Sequence, residues 1–294
     1  MHREGFSELL AHSVKVGSDP DLVQASGGNT SYKSGHKIWV KGSGKRLVDA
    51  HSDEIFACVN FESLTEAELL DCQDFSPLAT NSIIPSIEAN FHILLKKNFV
   101  THLHSLGSIA IGILAGNDHV NSIGDDIRIV PYVRPGVDLA NAIRRIEDYS
   151  EVTLVLQNHG VIFSGQSCIE IERKIEEFEL RIQQHFAELT NSDGSPGWID
   201  ILTAGVLTPD EAVFLGPKPF VKSENPIDDS IGINSMGELL FPDGFSSDRT
   251  DLAKFYVRVA KLIEGKTQVS YLPKKEVNEL LGWDKEQVRI TMAK

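Results

Sequence analysis

Cysteine is scarce in this sequence, and the three present, Cys58, Cys72 and Cys168, lie far apart with no C-x-x-C pair. An odd, scattered count offers no disulfide framework and argues for a reducing compartment. The opening Met-His-Arg-Glu-Gly is not followed by an apolar h-region, so a secretory leader is not expected. No run approaches about 18 uninterrupted apolar residues, which excludes a membrane-spanning helix. Basic residues are in deficit as well: 28 Lys and Arg against 42 Asp and Glu leave a net charge of −14. A surface of that sign repels DNA, RNA and anionic lipid, so neither nucleic acid nor membrane is an expected partner. Internal repeats and low-complexity tracts are also missing. The expectation is a soluble cytoplasmic protein.

What is present suits a folded enzyme. The 294 residues are 41% hydrophobic and 24% charged, enough for a large buried core in one α/β domain with an appendage. One stretch runs against the overall charge: Lys33, Lys37, Lys41, Lys45 and Arg46 fall close together. A small anionic substrate therefore stays open.

The chain is organised around Val100-Thr101-His102-Leu103-His104. In an extended strand the side chains at i and i+2 leave the same face, roughly 6–7 Å apart. Two imidazoles so placed can converge on one ion. A second apolar run ends in Asn158-His159-Gly160, giving a third imidazole at a strand end before a turn glycine. Three histidine nitrogens leave one position of a tetrahedral metal open, the pattern of a catalytic site. Glu88 lies in a helix expected to open at Pro85 and to lead into the His-x-His strand. Plainer interpretations stand beside these. Histidines are often core residues satisfying a hydrogen bond, an isolated helix glutamate is usually a solvated one, and His92 reads as a half-buried helix residue.

Periodicity supplies the rest. A helix covers 6–16, and the Gly27-Gly28-Asn29-Thr30-Ser31 loop follows it. A hairpin turns at Gly35 into an alternating strand over 37–41, which runs into Gly42-Ser43-Gly44. Further strands are expected near 55–60, at 127–130 and through Leu154 and Leu156, and a helix at 109–114. Asp138 is expected to cap another helix. Ser167 opens a long amphipathic helix with Ile171, Ile175, Phe178, Ile182 and Phe186 on its stripe. Asn191 to Gly197 reads as a linker, which divides the chain into 1–197 and 198–294. Beyond it, Thr208-Pro209-Asp210-Glu211 carries the cap, proline and capping-box pattern of a short helix. Two amphipathic helices follow, over roughly 249–263 and from near 273.

Five of these motifs in order, Gly-Gly-Asn-Thr-Ser at 27–31, Val-Lys-Gly-Ser-Gly at 40–44, Pro-Ser-Ile-Glu at 85–88, His-x-His at 102–104 and Asn-His-Gly at 158–160, resemble the class II aldolase/adducin family. The resemblance covers roughly residues 6–190. The stretch from Leu207 to Gly216 is also similar to the longer branch containing bifunctional rhamnulose-phosphate aldolase/alcohol dehydrogenases, although no dinucleotide-binding glycine fingerprint occurs here. The resemblance implies an α/β/α sandwich of three layers with a mostly antiparallel central sheet, followed by a helical C-terminal extension. It implies His102, His104 and His159 as ligands of zinc or another divalent transition metal, and Glu88 as the acid/base. It places Asn29, Ser43, Gly44 and Ser86 where family aldolases hold a substrate phosphate. One departure is visible: fuculose-phosphate-type enzymes carry two serines before the glutamate, whereas this chain has Ser86-Ile87, and isoleucine cannot donate to a phosphate oxygen.

The activity so implied is cleavage or formation of a carbon–carbon bond in a ketose or ketose phosphate, through an enediolate whose charge the metal stabilises. Epimerisation, decarboxylation or dehydration at the same metal are the alternatives, together with a metal-free adducin-like binding module. The family also implies a homotetramer with sites between subunits.

Overall fold

The computed structural model describes residues 2–114, 117–191, 194–266 and 268–283. Seven strands make the frame: β1 (Asn29–Ser34), β2 (Lys37–Lys41), β3 (Phe56–Asn60), β4 (Phe99–Leu103), β5 (Ile127–Val130), β6 (Thr153–Leu156) and β7 (Gly160–Gly165). They lie in the order β3-β2-β1-β4-β7-β6-β5. Strands β1 and β2 are the expected hairpin, with Gly35 at φ +60° in its turn. Around the sheet in chain order are α1 (His2–Gly17), α2 (Glu66–Asp71), α3 (Ala89–Leu94), α4 (Leu106–Ile113), α5 (Asn117–Asn121), α6 (Val137–Arg144) and α7 (Cys168–Glu188).

Alternation along β4, β6 and β7 sends their side chains into two separate cores. Phe99 and Leu103 of β4, Val155 of β6 and Val161 and Phe163 of β7 meet Leu9 of α1, Ile109 of α4 and Phe178 of α7. Their neighbours Val100, Leu154, Leu156 and Ile162 point the other way, onto Phe91 of α3 and Leu139 and Ile143 of α6. Helices therefore cover both faces. Strands buried on both faces need apolar residues at successive positions, which is why Leu154-Val155-Leu156 of β6 and Val161-Ile162-Phe163 of β7 read as continuous hydrophobic runs.

The sheet is mixed, where a mostly antiparallel one is expected from the sequence. Strand β5 runs parallel to β6, while β1, β2, β3, β4 and β7 pair antiparallel with their neighbours. The cause lies in the connection: the chain leaves β5 through α6, and a helical crossover returns the next strand in the same direction. A second difference concerns Pro85, where the sequence predicts a helix start. Pro85 instead forms a β-bridge with Gly42, and the Ser86 N–H bonds to the Lys41 carbonyl, so the backbone is held extended and α3 begins at Ala89. At α6 the cap position is Gly136, with Asp138 inside the first turn.

The C-terminal part is not purely helical. Besides α8 (Trp198–Ala204), a π-helical turn (Glu211–Leu215), α9 (Ser247–Leu262) and α10 (Lys274–Leu281), it contains β8 (Phe220–Lys222), β9 (Ile231–Ile233) and β10 (Leu239–Leu240) as a three-stranded sheet. Strands of two or three residues are too short for any period to show in the sequence. Leu252, Phe255, Tyr256 and Val259 of α9 join the same hydrophobic cluster as α1, α4 and α7, so one core continues across residue 197. Of the expected linker, residues 192–193 lie outside the described residues. Among the described residues no helix is long and apolar enough to cross a membrane.

Candidate active site

Strand order places the motif residues at one end of the sheet. Strands β1 and β7 flank β4 and run against it, so their first residues lie beside its last: Asn29 is opposite His102, and Val161 opposite Leu103. His104 follows β4 and His159 precedes β7. The turn into β7 holds Asn158 at φ 55° and Gly160 at φ 155°. A Cβ on Gly160 would stand 2.2 Å from the Leu103 carbonyl oxygen, so only glycine lets the two chains approach here. Strand β2 ends alongside, which carries Gly42 and Ser43 to the same place, and the Ser43 N–H bonds to the Ile84 carbonyl at 2.9 Å.

The three predicted imidazoles come together. His102, His104 and His159 are all buried, and their candidate ligand nitrogens lie within 4.8 Å of one another. Two neighbours assign the tautomers. His102 Nδ1 donates to the Val161 carbonyl at 3.0 Å, and His104 Nδ1 donates to Asp210 Oδ2 at 2.9 Å. The two Nε2 atoms face each other at 3.0 Å. As neutral rings they set two lone pairs against each other at that separation, a repulsion that a cation between them would relieve. Burial lowers the His102 pKa to about 3 despite the opposing pull of Glu88, so its ring is neutral and available as a donor at neutral pH. Glu88 Oε1, which is buried, lacks a hydrogen-bond partner and lies 3.5 Å from His159 Nε2; Oε2 is 3.7 Å from His102 Nε2. Imidazole nitrogens and an incompletely satisfied carboxylate are the donor chemistry a divalent transition metal takes, and the residues fit one.

Glu88 sits at the cap position of α3 rather than inside it, and its carboxyl turns into the cluster. Burial alone would raise its pKa. The imidazoles of His102, His159 and His104, and after them the Asn29 amide, favour the charged form more strongly and hold the pKa at about 2. Asn29 Nδ2 donates to Glu88 Oε2 at 2.8 Å. The orientation of that amide is set from behind. His92 is fully buried, receives the Ser31 hydroxyl on Nδ1 at 2.7 Å, and through Nε2 makes a short hydrogen bond to Asn29 Oδ1. His92 was expected to be half-buried. It is instead a link in a chain running from Ser31 through His92 and Asn29 to Glu88.

The remaining predicted residues line the same cleft: Asn29, Ser43, Gly44 and Ser86 stand around it with Gly28, Lys41, Ile87, Glu88, His104, His159 and Asp210. The Ser86 hydroxyl accepts from the Glu88 N–H at 3.3 Å and from Asn29 Nδ2 at 3.5 Å, which ties both residues to the carboxylate. Lys41 brings a cation into the lining, although its Nζ donates to the Ser26 and Lys45 carbonyls at 2.6 and 2.8 Å. Ile87 puts an apolar side chain beside Ser86. Asp210 is the residue that pattern reading missed, because in sequence it is one position of a helix cap and nothing local ties it to His104.

Residues 8–186 match the family described as Class II Aldolase and Adducin N-terminal domain. The chain is 30% identical over 214 residues to the protein named uncharacterized oxidoreductase YuxG of Bacillus subtilis (strain 168), an alignment covering 62% of this chain and 31% of that protein. It is 33% identical over 115 residues to the 3-oxo-tetronate 4-phosphate decarboxylase of Escherichia coli (strain K12), covering 32% of this chain and 52% of the relative. The chain thus spans about half the length, or less, of these curated relatives. Among solved structures, the N-terminal class II aldolase domain of a conserved protein from Thermoplasma acidophilum is similar with a TM-score of 0.51 and 25% identity, over 60% of this chain and 91% of that one.

Proposed function

The chain belongs to the class II aldolase and adducin family, and from that membership we propose that it is a zinc-dependent lyase acting on a carbon–carbon bond in a hydroxy-carbonyl sugar or sugar phosphate. In this proposal His102, His104 and His159 hold the metal, with another divalent transition metal as the alternative to zinc. The observation that carries it is the convergence of three buried imidazoles, with the Nε2 atoms of His102 and His104 3.0 Å apart beside the Glu88 carboxylate. When bound, such an ion supplies Lewis-acid polarisation of a substrate carbonyl and a counter-charge for the oxygen next to the breaking bond.

The chain's own groups do the rest. Glu88 enters the reaction as a carboxylate. In the direction of bond formation it removes a proton from the carbon next to the carbonyl; in cleavage it returns one to that carbon. Asn29 holds the carboxylate in place and His92 holds Asn29. Asn29, Ser43, Gly44 and Ser86 are the proposed substrate-binding edge of the cleft, with Lys41 in its lining as a cation for an anionic group. Asn29 and Ser86 already serve Glu88, and Ile87 offers no donor, so a neutral or carboxylate-bearing substrate suits this edge as well as a phosphate does.

A second reading has a specific support, the 33% identity to a protein named as a decarboxylase. Decarboxylation uses the same electron flow and differs in the departing fragment, carbon dioxide in place of an aldehyde. Epimerisation and dehydration stay in the same comparison. Purified protein with zinc, offered ketose phosphates, ketoses and 3-oxo acids, separates these by product mass: two carbonyl-bearing fragments for the lyase, a loss of carbon dioxide for the decarboxylase. Absence of bound metal in the purified protein, with no uptake on reloading, would instead favour a binding module. Glu88→Gln is expected to retain its zinc and lose nearly all turnover; full activity in that variant would remove Glu88 from the chemistry. Assembly as a homotetramer with sites between subunits belongs to the same proposal, and sedimentation equilibrium tests it.

A further inference from the structure

The family-matched residues end at 186, yet the lining of the cleft includes a residue well beyond them. Asp210 stands at the start of the π-helical turn Glu211–Leu215, and its Oδ2 lies 2.9 Å from His104 Nδ1. Both side chains are buried, with relative exposures of 7% and 9% for His104 and Asp210. The geometry is shaped on the other side too. A Cβ at Gly27 would come within 2.9 Å of His104 Nδ1 and 3.1 Å of Asp210 Oδ2, so the glycine leaves the room in which the pair fits.

The segment that presents Asp210 is anchored rather than loosely laid on. The Thr208 hydroxyl accepts the Glu211 N–H at 3.2 Å and makes a short hydrogen bond to the Tyr256 hydroxyl of α9. Glu211 Oε2 accepts the Leu207 N–H at 2.5 Å. A neighbouring contact reaches a second histidine. Asn158 Nδ2 donates to the Leu207 carbonyl at 2.8 Å and to the Ser270 carbonyl at 2.9 Å, which fixes the turn carrying His159. The C-terminal part therefore touches the supports of two of the three imidazoles.

We propose that Asp210 is a positioning residue of the metal site, one that locks the His104 ring with its Nε2 toward the cluster and makes that nitrogen a stronger donor, so that the C-terminal segment completes a site the family domain alone leaves loose. The proposal rests on the metal reading above. A carboxylate on the distal ring nitrogen of a metal-binding histidine fixes both tautomer and orientation, and loss of such a partner costs roughly 10–100-fold in metal affinity.

The test compares the full-length chain with Asp210→Ala and Asp210→Asn, all stripped of metal, by zinc titration against a chromophoric chelator. Asp210→Ala is expected to bind zinc roughly 10–100-fold more weakly than the parent chain. Asp210→Asn still offers an oxygen to the His104 N–H but no charge, and is expected to fall between the two. Should alanine lower the metal-free melting temperature, the isosteric asparagine decides: weaker zinc binding supports the role, and parental affinity overturns it. Parental affinity in Asp210→Ala likewise overturns it. A parent chain that takes up no zinc removes the metal reading, and this proposal with it.

Discussion

Replacing Glu211 by glutamine should make the protein more stable, and increasingly so as the pH rises from 5 to 8. The side chain is fully buried, with one oxygen on the Leu207 N–H and Oε1 without a partner. Burial raises its pKa from 4.5 to about 8, with the backbone amides of Leu207 and Thr208 pulling the other way. The sign follows from proton counting. Below about 4.5 the group is protonated in both states and contributes no pH dependence. Between 4.5 and about 8 the unfolded chain has lost the proton and the folded chain keeps it, so folding takes up a proton and stability falls with rising pH. Above about 8 both states are ionised and the slope vanishes. The interval from 4.5 to about 8 is about 3.5 units, and at 1.36 kcal/mol per unit the full cost is about 5 kcal/mol. Glutamine keeps the acceptor for Leu207 and does not titrate. Urea unfolding of both proteins at several pH values isolates the effect, because every other ionisable group cancels in the difference. The advantage of the variant should grow by about 2.5 kcal/mol between pH 5.5 and 7.5. A constant difference across that range would refute a neutral, buried Glu211.

Two further outcomes can be checked alongside those given for Glu88 and Asp210. His92→Leu leaves the Asn29 carbonyl oxygen unpaired in the interior, which should cost about 1–3 kcal/mol and free the Asn29 amide to turn away from Glu88; His92→Gln carries a donor to nearly the same point and should restore most of the stability and turnover, and equal behaviour of the two would count against the chain from Ser31 to Glu88. Zinc at 100 times its dissociation constant should stabilise the metal-free protein by about 2.7 kcal/mol in thermal unfolding, and His102→Ala should abolish that shift; an equal shift in the variant would place the metal elsewhere.

The hairpin through Gly35, the strand at 127–130 and the helix opened by Ser167 were all readable because each depends on neighbours a few residues away. So was the placing of His102 and His104 on one face, since side-chain alternation along an extended strand follows from backbone geometry alone. The start of α3 was not readable. Pro85 at a helix opening is good local chemistry, but the Gly42 backbone, some forty positions earlier, claims that segment for a β-bridge. The parallel edge of the sheet was hidden for a related reason. Strand direction is set by what lies between two strands and by where the crossover packs, and the residues of β5 look the same in either direction. In the C-terminal part, three strands of two or three residues carry no period at all.

Sequence by itself determined the donor types, their spacing within each motif and the family to which the chain belongs. Tertiary structure decided which of them meet. It brought His159 to His102 and His104 through the order of β1, β4 and β7, put His92 behind Asn29, and delivered Asp210 from a segment far along the chain. It also decided the charge on Glu88. Burial and neighbouring polar groups push a carboxyl in opposite directions, and their balance depends on distances that exist only once the chain has folded.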